Sequence, residues 1–294
     1  MSGSPVEAGT IEDAMALHRA GTLEGAEAAY RELLERQPGH IGALGGLGVL
    51  LFQTGRREAA VVPLERATAG APKDAQLQIN LGAAYASLQR HGEAIASFQR
   101  GLAIDARHVD GWRNLAKSLL AAGRLDEAKT ALDRLEALVP ADRECRRLQA
   151  DLLLRGDRAV EAVISLRRLV QEDPKDVRAW VGLARALFRQ GDYQGSAEAN
   201  RAALRLDPQE PTALINFGVD LKILGHREQA IATLRQAIER TPKNAFAWRN
   251  LGAIYESAKR EEEAVAAYRQ ALAIDPANQE ARVNLPKLAG CVEK

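Results

Sequence analysis

The chain has 294 residues, 46% of them hydrophobic and 27% charged, with a formal net charge of +1. That balance speaks against a nucleic-acid-binding protein, and the longest uncharged run, residues 41–55, is too short to cross a bilayer. The opening MSGSPVEAGT lacks the basic and apolar stretches of a secretory signal, so a cytoplasmic protein with reduced thiols at Cys145 and Cys291 is expected.

A period of 34 residues organises nearly all of the sequence. One ladder reads Ala26, Ala60, Ala94, Ala128, Ala162, Ser196, Ala230, Ala264, and a second reads Pro38, Pro72, Ala106, Pro140, Pro174, Pro208, Pro242, Pro276. Within a unit, positions 4, 7, 8 and 11 share one stripe of a first helix, and positions 20, 24 and 27 share a stripe of a second. Small residues at 8 and 20, such as Gly252 and Ala264, let the two helices approach closely. Proline at position 32 ends the second helix, and glycine near position 15 suits the turn between the two. No unit covers its own apolar face, so stability accrues between stacked neighbours.

In chain order, residues 1–6 read as a disordered leader. Repeat 1 (7–40) keeps its second helix, but its first is degenerate, with Thr10, Asp13 and Ala14 at the landmark positions. Repeat 2 (41–74) is glycine-rich at GALGGLG, and Pro63 should kink its second helix. Repeat 3 (75–108) is regular apart from Ala106. Repeat 5 fits its landmarks when its first helix slides back one residue, which sets repeat 4 at 109–141 and repeat 5 at 142–176 and puts Gly156 at the turn. Repeat 6 (177–210) holds Ser196 and Asn200 where alanine and a leucine or aromatic residue are expected, so its packing should be the weakest and the joint compliant. Repeats 7 (211–244) and 8 (245–278) are regular. Residues 279–294 read as a capping helix, distorted or ended by Pro286, and a tail.

The landmarks Trp248, Leu251, Gly252, Tyr255, Ala264, Tyr268, Ala271 and Pro276, recurring in register over residues 7–278, resemble the tetratricopeptide repeat (TPR) family. The resemblance implies an all-α fold, a right-handed α-solenoid of about eight helix–turn–helix units plus a C-terminal capping helix. It also implies a concave groove lined by the first helices, with positions 2, 5, 6, 9, 12 and 13 exposed. In repeats 2 and 3 those positions carry no charge. In repeats 4 to 6 they include Arg113, Asn114, Lys117, Arg143, Arg146, Arg147, Arg178, Arg185 and Arg189 against one acid, Asp110. Arginine suits bidentate recognition of carboxylates or phosphates. The other reading is that exposed helix faces carry charge anyway and solvent screens it. Without the one-residue slide, Glu144 and Asp151 join the stripe and the excess weakens.

Position 6 carries Asn80, Asn114, Asn216 and Asn250. In the TPR superhelix attached to O-GlcNAc transferases, asparagines there hold the backbone of an extended peptide, and an amide offers both donor and acceptor. Asparagine is also a common residue at that position throughout the family. The sequence holds no metal-spaced His/Cys cluster and no phosphate-binding loop, and Cys145 sits at a packing position. The expectation is therefore a non-catalytic protein-interaction scaffold without cofactors, binding an extended, acidic partner segment in the groove, with neither nucleic acid nor membrane insertion. Two further readings stay open: the substrate-recognition part of a larger transferase, and a self-assembling scaffold, with homo-oligomers undecided.

Overall fold

The computed structural model describes residues 10–292, with side chains through residue 287. The leader expected at 1–6 and the end of the tail lie outside the described residues. The chain divides into two compact units, the boundary falling between Leu148 and Gln149. The first contains α1 (Ile11–Arg19), α2 (Leu23–Arg36), α3 (Ile41–Gln53), α4 (Arg57–Gly70), α5 (Ala75–Ser87), α6 (His91–Ile104), α7 (Val109–Ala121), α8 (Leu125–Leu138) and the start of α9 (Arg143–Arg155). The second contains the rest of α9, then α10 (Ala159–Glu172), α11 (Val177–Gln190), α12 (Tyr193–Leu206), α13 (Pro211–Ile223), α14 (Arg227–Arg240), α15 (Ala245–Ser257), α16 (Glu261–Ile274) and α17 (Gln279–Val292). Among the described residues every regular element is a helix. Within each unit, paired helices stack on the next pair, so each unit is an α-solenoid.

The apolar ladders become the core. Ala26, Ala60, Ala94, Ala128, Ala162, Ala230 and Ala264 are all fully buried. Opposite them the first helix must be thin. A Cβ on Gly252 would stand 2.9 Å from Tyr268, too close for any real contact. The run GALGGLG in α3 has the same cause on three sides. Added Cβ atoms on Gly45, Gly46 and Gly48 would meet Leu77, Tyr30 and Leu64 at 2.7, 2.5 and 2.5 Å. Packing thus overrides the low helix propensity of four glycines.

The period is stricter than the sequence landmarks suggest. From α3 to α15 each first helix begins 34 residues after the last, α9 included at Arg143. The turn residue with positive φ recurs at the same interval: Gly21, Gly55, Gln89, Gly123, Asp157, Gly191, Gly225 and Lys259. The one-residue slide in repeat 5 is therefore not present. Asp157, not Gly156, takes the left-handed conformation, which aspartate tolerates better than most residues. Cys145 then falls in the buried place that Ala179, Ala213 and Ala247 hold elsewhere, and Ala150 takes the small-residue place of Gly218 and Gly252.

The residue before each of these first helices caps it. Asp142 accepts the Cys145 N–H at 2.9 Å, and Asp74, Asp176 and Asn244 do the same in their repeats. His40 and His108 are caps as well, with Nδ1 accepting from the Ala43 and Gly111 N–H groups. Thr10 and Asp13 close a capping box on the shortened α1. Both prolines lie inside their helices. Helix α4 continues through Pro63, and α17 continues through Pro286, so the helix does not end there. A proline removes one hydrogen bond, and in α4 the buried Val61, Leu64 and Ala67 hold the rod together across it.

Candidate functional site

The first-helix faces are best taken unit by unit. In unit one, Asn80 accepts a hydrogen bond from Gln76, which also meets His108. Asn114 is half-buried and makes no hydrogen bond to the described residues. Arg113 donates to both Asp110 and Asp142. Lys117 pairs with Glu144 at 2.8 Å, and Arg147 pairs with the same carboxylate. Burial works to raise the Glu144 carboxyl, but Lys117 and then Arg147 outweigh it and hold it below the ordinary range. Asp142 is lowered in the same way, its partial burial offset by Arg113. Three expected cations of this face are thus neutralised by acids on it. The strict register explains why. It brings Glu144 onto the stripe with Arg147, moves exposed Arg143 to the helix start and turns half-buried Arg146 toward the packing side.

In unit two, Arg185 and Arg155 share Asp151, and Arg189 meets Asp157 at 3.3 Å. Arg178 is exposed and has no ion-pair partner among the described residues. Arg178, Arg185, Arg189 and Arg155 face two acids here, so this unit keeps a cationic excess. Arg185 and Asn216 also come together across a small cavity of about 80 Å³, with Phe188 and Phe246 beside them and Ser196 and Val219 completing the lining. The Asn216 amide has no hydrogen-bond partner among the described residues. Phe246 is 45% exposed, with the Arg249 guanidinium 4.5 Å over its ring. Asn250, by contrast, is buried. Its oxygen accepts from Lys222 at 2.9 Å and its nitrogen donates to the Phe246 carbonyl, so it is a structural residue.

Under this cavity lies a polar cluster that the sequence reveals only in part. Ser196 Oγ donates to the Asp220 carboxylate at 2.9 Å, and Asn200 Nδ2 donates to it at 2.8 Å. All three side chains are buried. Burial drives the Asp220 carboxyl up to about 6, against the pull of Asn200 and Ser196. Ser196 and Asn200 are therefore not gaps in repeat 6 but donors to an acceptor 20 to 24 residues on. A signal for it does exist: Asp220 stands where Leu50, Ala84, Ala186 and Ile254 stand in other repeats. The phenylalanines Phe188 and Phe246 carry no comparable signal, because isolated apolar residues on a helix read as packing.

Cys145 is buried, its thiol 3.7 Å from the Leu132 carbonyl and pushed up to about 11, chiefly by burial. Among the described residues no group of three or more His, Cys, Asp or Glu side chains could hold a metal ion. Nor is any helix there long and apolar enough to cross a membrane.

Comparison with known proteins agrees with the architecture. The tetratricopeptide repeat profile matches residues 17–88 and 85–152. The profile of the middle TPR-like domain of cilia and flagella-associated protein 70 matches residues 148–275. No curated protein matches the sequence. Among solved structures, the APC/C hetero-tetramer Cut9–Hcn1 aligns with TM-score 0.72 at 18% identity over 94% of this chain. Yeast Tom70 aligns with TM-score 0.70 at 14% identity over 93%. This chain spans 54% and 59% of those two structures' chains. A tetratricopeptide repeat protein from Parabacteroides merdae ATCC 43184 aligns with TM-score 0.61 at 17% identity, covering 95% of this chain and 96% of that one.

Proposed function

The chain belongs to the tetratricopeptide repeat family, and from that premise we propose that it is a non-catalytic protein-interaction scaffold whose second unit grips an extended, acidic segment of a partner protein. The observation that carries this reading is the cavity of about 80 Å³ between Phe188 and Phe246, with Arg185 and Asn216 on its wall. The cavity has room for one small apolar side chain. The unpartnered Asn216 amide offers a donor and an acceptor to the peptide unit that carries it. Exposed Arg178 and half-exposed Arg185 then favour a carboxylate beside that anchor. The Arg185–Asp151 pair is no obstacle. An ion pair so exposed is worth about 0–1 kcal/mol, so a ligand carboxylate can displace it. In unit one the acids Asp110, Asp142 and Glu144 already occupy the corresponding cations, which is why the proposal rests on unit two.

A displayed random-peptide library selected on the whole protein tests this. The native chain should enrich peptides with an aliphatic residue next to an acid. The variant Phe188→Ser/Phe246→Ser should lose the aliphatic preference, and Arg178→Glu/Arg185→Glu should lose or reverse the acidic one. Circular dichroism first checks that each variant keeps its helix content. Identical enrichment on native and variant proteins would sink the proposal.

A further inference from the structure

A second groove lies on unit one, where the second helices α4 and α6 flank the first helix α5. Its volume is about 870 Å³, and it is lined by Glu65, Pro72, Gln78, Leu81, Tyr85 and Arg100 among others. Unit two has the equivalent groove one repeat from its end. There Arg235, Trp248, Leu251 and Tyr255 take the places of Glu65, Gln78, Leu81 and Tyr85, and the volume is only about 350 Å³. The two differ most at one position, where an indole stands in repeat 8 and a glutamine in repeat 3.

The indole does a definite job where it occurs. Trp112, Trp180 and Trp248 each donate Nε1–H to the carbonyl six residues before them, at Ala106, Pro174 and Pro242, over 2.9, 3.0 and 2.9 Å. Where leucine replaces it, another side chain reaches the same carbonyl. Arg66 donates to Pro38 beside Leu44, and Gln236 to Pro208 beside Leu214. Repeat 3 has neither solution. The Pro72 carbonyl accepts no hydrogen bond from the described residues. Gln78 is only 4% exposed, and its buried Oε1 has no donor. The Gln78 acceptor is therefore buried at the groove wall without a donor, which costs about 1–3 kcal/mol, and the exposed Pro72 residue at the groove edge presents a second acceptor. Arg100, at the repeat position of Arg66 and Gln236, lines the groove and has no ion-pair partner among the described residues.

The geometry points to a binding site for a tryptophan side chain of a partner protein, seated where Trp248 sits in repeat 8. Its ring lies over Leu81 and its N–H donates to the Pro72 carbonyl. Arg100 at the rim selects a tryptophan with a carboxylate close by. The surrounding charge agrees with the internal precedent only in part: Glu65 replaces Arg235 and accepts the Tyr85 hydroxyl, which leaves Arg100 as the groove's unpaired cation.

Fluorine NMR titration of the whole protein with two probes, N-acetyl-5-fluorotryptophan and its amide, tests the site. Both probes should shift saturably with the native chain, the free acid binding more tightly. Gln78→Trp fills the groove with the residue that other repeats use there, so this variant should keep its fold and bind both probes at least about tenfold more weakly. Arg100→Gln should bind the two probes equally. No saturable shift, or equal binding by native and Gln78→Trp proteins, overturns the proposal. Retention of the acid preference in Arg100→Gln overturns the role given to that arginine.

Discussion

At repeat 3 a glutamine replaces an indole, and at repeat 6 a serine and an asparagine replace alanine and a larger apolar or aromatic side chain. Both substitutions bring polarity to places that most of the other repeats fill with apolar side chains. At repeat 6 the neighbouring helix answers with Asp220, and three buried polar groups satisfy most of one another's needs. At repeat 3 nothing answers, and the groove stands open beside Gln78 with its oxygen unpaired. The lesson is that a polar residue in a repeat junction has no fixed meaning. Its effect depends on what the adjoining repeat places about 20 to 35 residues away.

The strongest way to break this contrast is Trp248→Gln, which gives repeat 8 the residue of repeat 3. Loss of most of a large ring and of the bond to Pro242 should cost on the order of 2–4 kcal/mol in urea denaturation. The variant groove should also begin to bind the fluorotryptophan probes. Next in size is Asp220→Ala, which strips repeat 6 of its acceptor. Ser196 and Asn200 are then buried without a partner, and stability at pH 4, where the Asp220 carboxyl is protonated in the folded chain, should fall by about 2 kcal/mol. A stable Asp220→Ala protein would mean that the polar cluster is incidental.

The same carboxyl sharpens the comparison through pH. Its value is about 6 in the folded chain, against 3.8 ordinarily, because burial disfavours the charged form. Between those values the folded state holds a proton that the unfolded state has released. Stability from this group is therefore greatest below about pH 4 and is lost as pH rises through about 6. Asp220→Asn cannot titrate, so the difference in unfolding free energy between the two proteins should change by a few kcal/mol between pH 4 and 7, because each tenfold difference in proton affinity between folded and unfolded chain is worth about 1.4 kcal/mol. A constant difference across that range would show that Asp220 titrates normally. The smallest effect belongs to Arg185→Ala. Its ion pair with Asp151 is half-exposed, so unfolding should move by no more than about 0.5 kcal/mol. Peptide selection should change all the same, which separates a binding residue from a folding one.

Much of this molecule is legible in advance because a repeat reports on itself. Alanine at one rung and proline at another, repeated every 34 residues, place the helices, the turns and the buried stripe without reference to any distant contact. Repeat 5 shows where such reading fails. Landmark residues favour a slide by one, yet backbone periodicity holds, because the N-cap at Asp142 and the turn at Asp157 keep the helix in step. Side-chain pairing is also out of reach. Lys117 and Arg147 look like a ligand's cations until Glu144 comes onto their face, and Asn250 looks like a ligand's amide until Lys222 closes over it. Local sequence determined the period, the helix pairs and their apolar faces, since these depend on residues within one turn or one hairpin of each other. Tertiary structure alone decided which polar groups are satisfied, because each partner arrives from a neighbouring helix, and sequence spacing gives its place but not its reach.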